Sequence, residues 1–171
     1  QQIMEARDLP SVSVAVSKDS DVLWEEAFGW ANLERRIPAS PHTMYSLASI
    51  SKPITATGLA VLIERGIVGL DLPVDEYLGI GRLRGFAGDA AHATVRRVLA
   101  HTAGLPLHYQ FFYETEGYAP PTMDETIARY GIVTSVPGEE FQYSNIGFGI
   151  LDYVIERASG SSYTDFMRRE L

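Results

Sequence analysis

From Ser11 to Lys18 the chain reads Ser-Val-Ser-Val-Ala-Val-Ser-Lys, with apolar and small polar residues alternating. A period of two is the mark of a strand with one face toward a core. The polar run Lys18-Asp19-Ser20-Asp21 ends it, a second apolar run follows from Val22 to Phe28, and together the segments predict a β-hairpin. Ile37-Pro38-Ala39-Ser40-Pro41 reads as a loop that leads through Met44-Tyr45-Ser46-Leu47-Ala48 to Ser49. There the pattern changes. Residues Ser49 to Arg65 predict a helix closed by Gly66, with Pro53 in the first turn, where a missing N–H costs little. Ile54, Leu59, Val61, Leu62 and Ile63 make this helix apolar around most of its circumference, which predicts a place in the middle of a structure.

Leu70 to Val74 reads as a loop followed by Glu76-Tyr77-Leu78. Thr94 to Ala100 predicts a short helix, which Gly104 and Pro106 in His101-Thr102-Ala103-Gly104-Leu105-Pro106 do not allow to continue. The stretch from Leu107 to Pro121 is dense in aromatics, namely Tyr109, Phe111, Phe112, Tyr113 and Tyr118, and reads either as a local cluster over the helices or as the wall of an acyl pocket. Thr122 to Tyr130 predicts a helix in which Thr122 and Glu125 have capping-box spacing. Pro137-Gly138 turns the chain toward Phe141 to Asn145, Ile146 to Ala158 predicts a helix closed by Ser159-Gly160, and Tyr163 to Leu171 begins another. One hairpin followed by helices, without repeats, is an α+β organisation.

Composition narrows the picture only a little. With 171 residues, 46% of them apolar and 21% charged, the chain has material for one core. The net charge of −8, from 22 acids against 14 bases with no basic block, argues against nucleic acid and anionic membrane as partners. The absence of Cys removes disulfides, a thiol nucleophile and thiolate metal sites, and leaves the compartment open among periplasmic, secreted and cytoplasmic. Glu64, Arg65 and the prolines break the apolar runs well short of the ~18 residues a membrane span needs. Gln1 to Pro10 has no signal-peptide core, and Gln1 is not an initiator Met, which is compatible with a leader already removed.

The chemistry is carried by Ser49-Ile50-Ser51-Lys52 and Tyr143-Ser144-Asn145. With so few Lys and Asn in the chain, a random Ser-x-x-Lys is expected about 0.15 times and a random Tyr-x-Asn about 0.1 times, so the pair is far more telling than either alone. The bland alternative is a helix-capping Ser beside a solvated Lys, plus a turn Asn. Residues three apart on a helix share a face, so Lys52 can stand beside the Ser49 hydroxyl. Apolar neighbours such as Ile54 and Leu59 would strip Lys52 of hydration and make it a better proton acceptor for a Ser nucleophile. Tyr143 can serve as a second proton carrier near that cation, and Asn145 can both orient Lys52 and bind a substrate carbonyl. His42, His92, His101 and His108 show no metal spacing, there is no Gly-x-Ser-x-Gly elbow or phosphate loop, and His101 reads as a structural hydrogen-bonder. No metal and no cofactor is expected.

Ser-x-x-Lys with Tyr-x-Asn resembles the serine β-lactamase and penicillin-binding-protein superfamily, in its class C β-lactamase-like branch. Tyr45 to Pro53, Leu99 to Pro106 and Phe141 to Phe148 look like that branch's signature segments, and the likeness runs from about Leu9 to Leu171. It implies a β-lactamase/transpeptidase-like α+β fold of which residues 1–171 are the N-terminal part, 1–48 giving strands and a loop of the α/β part and 49–171 the nucleophile helix and helical region. It implies Ser49 as acylated nucleophile, Lys52 as base or proton relay, Tyr143 as base for acylation and deacylation, Asn145 as substrate-binding residue, and the Ser49 N–H as half of an oxyanion hole. It further implies a serine hydrolase acting through an acyl-enzyme on an ester, β-lactam or D-amino-acid amide. Because the branch is broad, an esterase or peptidase-like hydrolase is favoured over a true β-lactamase. The family's third motif, Lys-Thr-Gly or His-x-Gly, has no match after Asn145. The expectation is therefore a C-terminal portion supplied by the same gene, a second chain or a swapped copy, with residues 1–171 alone close to inactive. The rival expectations are a non-catalytic β-lactamase-like binding or sensing protein and a helical interaction domain whose motifs are coincidental.

Overall fold

Strand β1, Ser11–Lys18, pairs antiparallel with β2, Asp21–Asn32, in a register that runs from Ser11 opposite Gly29 to Lys18 opposite Asp21. The computed structural model that gives this register describes residues 2–108 and 117–171. A short helix, α1, Gln2–Ala6, precedes the hairpin. The second strand continues past the Phe28 expected from sequence. Its extension is possible because Gly29 takes φ +84° and lies where a Cβ would sit 2.2 Å from the Pro10 carbonyl, while the Trp30 N–H donates to that carbonyl at 2.8 Å. Beyond it, Trp30 and Asn32 pair with β3, Ile37–Pro38, so the expected loop at 37–41 begins with a two-residue third strand. Its brevity leaves no periodicity to read. The chain divides into two compact units, Gln1–Ala48, which holds this three-stranded sheet, and Ser49–Leu171.

In the second unit the expected helix at 49–65 starts two residues late. Ala48–Ile50 forms a 3₁₀ turn, and α2 runs Ser51–Glu64 with Arg65 as C-cap and Gly66 at φ +70° closing it. The cause is Pro53. An α-helix that included Ser49 would need the N–H of residue 53 to bond the Ser49 carbonyl, and proline has none. Ser49 is thus presented from a tighter turn at the mouth of the helix rather than from the helix itself. Within this unit α2 buries one face only, through Thr55, Gly58, Leu59 and Leu62, whereas Ile54 is 42% exposed.

A 3₁₀ turn at Val74–Tyr77 and α3, Val95–Leu99, follow, the latter capped by the Thr94 hydroxyl, which accepts from the Arg97 N–H. In α4, Met123–Tyr130, the Glu125 N–H donates to the Thr122 hydroxyl and the Thr122 N–H to the Glu125 carboxylate, which completes the expected capping box. One more pairing had no counterpart in the sequence reading: β4, Arg84–Gly85, runs parallel to β5, Ile132–Val133. Helix α5, Asn145–Ser159, ends at Gly160 in the left-handed conformation, and α6, Tyr163–Glu170, follows. α5 is the hub. It packs against α2, α3, α4 and α6, and its Ile146, Phe148, Ile150, Leu151, Val154 and Ile155 lie in a core whose buried apolar side chains, among the described residues, fall between Leu59 and Phe166. No helix among the described residues is long and apolar enough to cross a membrane. The reading of Tyr109, Phe111, Phe112 and Tyr113 as cluster or pocket wall falls outside the described residues.

Candidate active site

Two loops are stitched together before any functional side chain is placed. The Gln142 N–H donates to the His101 carbonyl at 2.7 Å and the Asn145 N–H to the Leu107 carbonyl at 2.9 Å. The Ser144 N–H donates to His101 Nδ1 at 3.0 Å, and the buried Ser144 hydroxyl donates to the Pro106 carbonyl at 2.8 Å while accepting from the Gly147 N–H at 2.9 Å as the cap of α5. The first loop can take this path because His101 and Gly104 both adopt left-handed backbone, at φ +57° and φ +71°. At Gly104 a Cβ would meet the Ser135 carbonyl oxygen at 2.3 Å, so only glycine fits. Tyr143 and Asn145 flank the doubly tied Ser144, and their backbone is fixed by the same bonds.

The four residues singled out from sequence meet at hydrogen-bond distance. Lys52 Nζ donates to Ser49 Oγ at 3.1 Å and to Asn145 Oδ1 at 2.7 Å, and Tyr143 Oη donates to Ser49 Oγ at 2.8 Å. Ser49 is exposed, whereas Lys52, Tyr143 and Asn145 are half-buried. The surroundings of Lys52 differ from the apolar neighbours expected. Instead of Ile54 and Leu59, its ammonium faces the Tyr143 ring at 4.8 Å and the Phe148 ring at 5.7 Å, contacts that suit a cation. With Oδ1 accepting from Lys52, the Asn145 amide keeps its NH₂ to donate to an incoming carbonyl.

Electrostatics follow from the geometry. Hydrogen bonding to Lys52, then to Ser49, with the Lys52 charge adding to both, pulls the Tyr143 phenol below its ordinary value. His101 is also pulled down, first by burial and then by the nearby Lys52 charge, so the imidazole is neutral and its Nδ1 is free to accept from Ser144. The His101 ring lies 4.4 Å from that of Tyr143 and 5.2 Å from that of Phe148, with the Phe141 ring edge-on at 5.6 Å. Its role as a hydrogen-bonder matches the sequence reading, but its place beside the phenol was not legible, since residues 101 and 143 are joined only by tertiary contact. Phe148 was missed too. Its position three residues after Asn145 on α5 was the available signal, because that spacing sets both side chains on one helix face. Among the described residues no cluster of three His, Cys, Asp or Glu is arranged to hold a metal ion.

Such an arrangement can activate a serine hydroxyl for attack on an acyl carbon. The oxygen lies between two groups able to exchange its proton, one of them acidified by the other, with an amide placed to hold the acyl group.

Comparison with known proteins points the same way. The beta-lactamase family model matches residues 1–171. The chain is 32% identical over 168 residues to penicillin-binding protein 4* of Bacillus subtilis (strain 168), which covers 93% of this chain and 35% of that protein. The octameric penicillin-binding protein homologue from Pyrococcus abyssi superposes with a TM-score of 0.80 and 30% identity over 99% of this chain and 40% of its own. The D-amino acid amidase from Ochrobactrum anthropi SV3, solved with L-phenylalanine, gives a TM-score of 0.78 and 26% identity over 99% of this chain and 46% of its own. The chain spans about a third to two fifths of the length of the curated relatives it matches.

Proposed function

Because the chain belongs to the beta-lactamase family, we propose that it carries the nucleophile half of a serine hydrolase that works through an acyl-enzyme on an ester, a β-lactam or a D-amino-acid amide. The observation that carries this reading is the Ser49 oxygen held 3.1 Å from Lys52 Nζ and 2.8 Å from Tyr143 Oη. Similarity to a D-amino acid amidase supports the amide in that substrate range, and similarity to penicillin-binding proteins the β-lactam.

In the proposed cycle Tyr143 starts as the phenolate, paired with the Lys52 ammonium; the 2.8 Å bond that the neutral phenol donates to Ser49 Oγ is then reversed, with the Ser49 hydroxyl as donor. Ser49 Oγ attacks the acyl carbon and its proton passes to Tyr143. The tetrahedral intermediate then collapses, the bond to the leaving group breaks, and Tyr143 returns the proton to that group. A water molecule next gives its proton to Tyr143 as its oxygen attacks the Ser49 ester. The ester C–O bond breaks, Ser49 recovers the proton, and the acid departs. Asn145 donates through its NH₂ to the acyl chain throughout. The net reaction is acyl–X plus water giving the acid and HX, with no external reductant or metal in the balance.

A fluorophosphonate probe applied to the full-length protein tests the reading. Peptide mapping should find the adduct on Ser49, and Ser49→Ala should abolish it. An adduct on another residue, or labelling that survives the substitution, overturns the assignment.

A further inference from the structure

One residue holds Tyr143 in three ways. The His101 carbonyl accepts from the Gln142 N–H at 2.7 Å, its Nδ1 accepts from the Ser144 N–H at 3.0 Å, and its ring lies 4.4 Å from the Tyr143 ring at an interplanar angle of 30°. Both residues that flank the phenol in the chain thus bond to a single partner, and the phenol between them rests on that partner's side chain. Phe148 of α5 and Phe141 lie against the same imidazole at 5.2 Å and 5.6 Å. His101 does this from left-handed backbone at φ +57°, which glycine would adopt with less strain, so the bonds of its side chain must offset that strain.

The two hydrogen bonds differ in what can break them. A main-chain carbonyl accepts at every pH. Nδ1 accepts only in the neutral imidazole with its proton on Nε2, because the imidazolium carries N–H on both ring nitrogens. Protonation would set Nδ1–H against the Ser144 N–H and leave that donor, on a buried residue, without a partner. Little movement is then needed to disable the site. A shift of about half an ångström takes Tyr143 Oη from its 2.8 Å contact with Ser49 Oγ past the ~3.2 Å reach of a proton acceptor.

We propose that His101 is a positioning residue for Tyr143: the neutral imidazole clamps the phenol oxygen on Ser49 Oγ, and the protonated imidazole releases it, so that acylation fails as the ring gains its second proton. This rests on the hydrolase reading above. The titratable groups that face His101 are Lys52 from α2 and Tyr143 from the opposite loop, while α5 faces it with Phe148. Burial first and the Lys52 charge second hold the imidazole below its ordinary value, so the clamp is closed at neutral pH and opens on the acid side.

The test compares wild type with His101→Asn in the full-length protein, following the rate of Ser49 labelling by a fluorophosphonate from pH 8 to pH 5. The Asn side chain offers Ser144 an acceptor that does not titrate. Loss of the ring contact with Tyr143 slows the variant by the same factor at every pH, whereas loss of the titrating acceptor changes the shape of the profile. The ratio of wild-type to variant rate is therefore expected to be flat above pH 7 and to fall at least about threefold by pH 5. Titration of Tyr143 itself occurs in both proteins and cancels in that ratio. A second readout needs no substitution: in NMR spectra of the wild type the Ser144 amide should shift with the same midpoint as the His101 ring, while the Leu151 amide in the core stays in place. A ratio that remains flat to pH 5, or a Ser144 amide that does not follow the His101 titration, overturns the inference and leaves the hydrolase reading intact. A wild type that is not labelled on Ser49 at any pH overturns the hydrolase reading, and this inference with it.

Discussion

Lys52 and Asn145 are 93 residues apart in the chain and 2.7 Å apart in space, Nζ to Oδ1. Each stands in the first turn of its helix, α2 and α5 respectively, so two N-terminal ends converge on one point. Helix N-termini carry partial positive charge from their unbonded N–H groups, and here that charge adds to the ammonium where an acyl oxygen would become negative.

Substitution of Lys52 or Tyr143 is expected to slow acylation without unfolding the protein. For Lys52→Ala and Tyr143→Phe the rate of Ser49 acylation should fall by at least about a hundredfold, the low end for lost general acid–base catalysis. Stopped-flow measurement of the p-nitrophenol burst in the full-length protein checks this. A near-normal burst rate in either folded variant would show that the proton leaves Ser49 by another route.

Ser144 contributes to stability rather than chemistry. Its buried hydroxyl caps α5 through Gly147 and donates to the Pro106 carbonyl, so Ser144→Ala removes a cap and leaves a carbonyl unpaired. A loss of about 1–2 kcal/mol is expected, read as a lower midpoint in urea with an unchanged slope. An unchanged midpoint would mean that the two bonds are not kept in solution.

The His101 imidazole is pulled below its ordinary value on folding, so the unfolded chain binds its proton first as the pH falls. Stability from neutral His101 is accordingly complete above about 6.5 and is lost as the pH drops below it. His101→Asn keeps an acceptor near the Nδ1 position and tolerates the φ of +57° there, but cannot titrate. The melting temperature of wild type should fall more steeply between pH 7 and pH 5 than that of the variant. Parallel curves would remove His101 as the source of acid sensitivity.

Gly104 and Gly66 offer a controlled comparison, because their φ values are +71° and +70° while the space around them differs. Alanine at Gly66 meets nothing within 4 Å and should cost only the backbone penalty, on the order of 1 kcal/mol. Alanine at Gly104 adds a collision with the Ser135 carbonyl and should cost clearly more, with slower acylation as the His101 loop shifts. Equal denaturation midpoints for the two variants would contradict the packing described.

Local chemistry explains most of what the sequence disclosed. The Thr122 capping box, the closing glycines at Gly66 and Gly160, and the alternation from Ser11 to Lys18 each act within a few residues, so they are readable without the fold. The placement of Ser49 on a 3₁₀ turn was not read from the sequence, where the helix was expected to start at Ser49, although Pro53, which cannot donate, was the available signal. What stayed hidden depends on distant contacts. Pairing of Arg84–Gly85 with Ile132–Val133 involves two residues on each side, too few for any period, and the packing of His101 on Tyr143 needs both loops in place. Lys52 shows the same limit: its sequence neighbours suggested an aliphatic surrounding, whereas the rings of Tyr143 and Phe148 arrive from ninety residues downstream.

The seam between residues 101–107 and 141–145 bears on how freely this part of the chain can drift. At Pro106 and Leu107 the seam uses main-chain carbonyls, which every amino acid provides, so those side chains are replaceable wherever the loop path survives. At His101 it uses a ring nitrogen, and at Ser144 a hydroxyl, which few residue types can imitate. Random mutagenesis selected for folding alone should therefore return a varied alphabet at Leu107 and a narrow one at His101 and Ser144. Variation could then reshape the surface beside Asn145 while the catalytic geometry is carried along unchanged, which gives the scaffold a place to change its substrate without rebuilding its nucleophile.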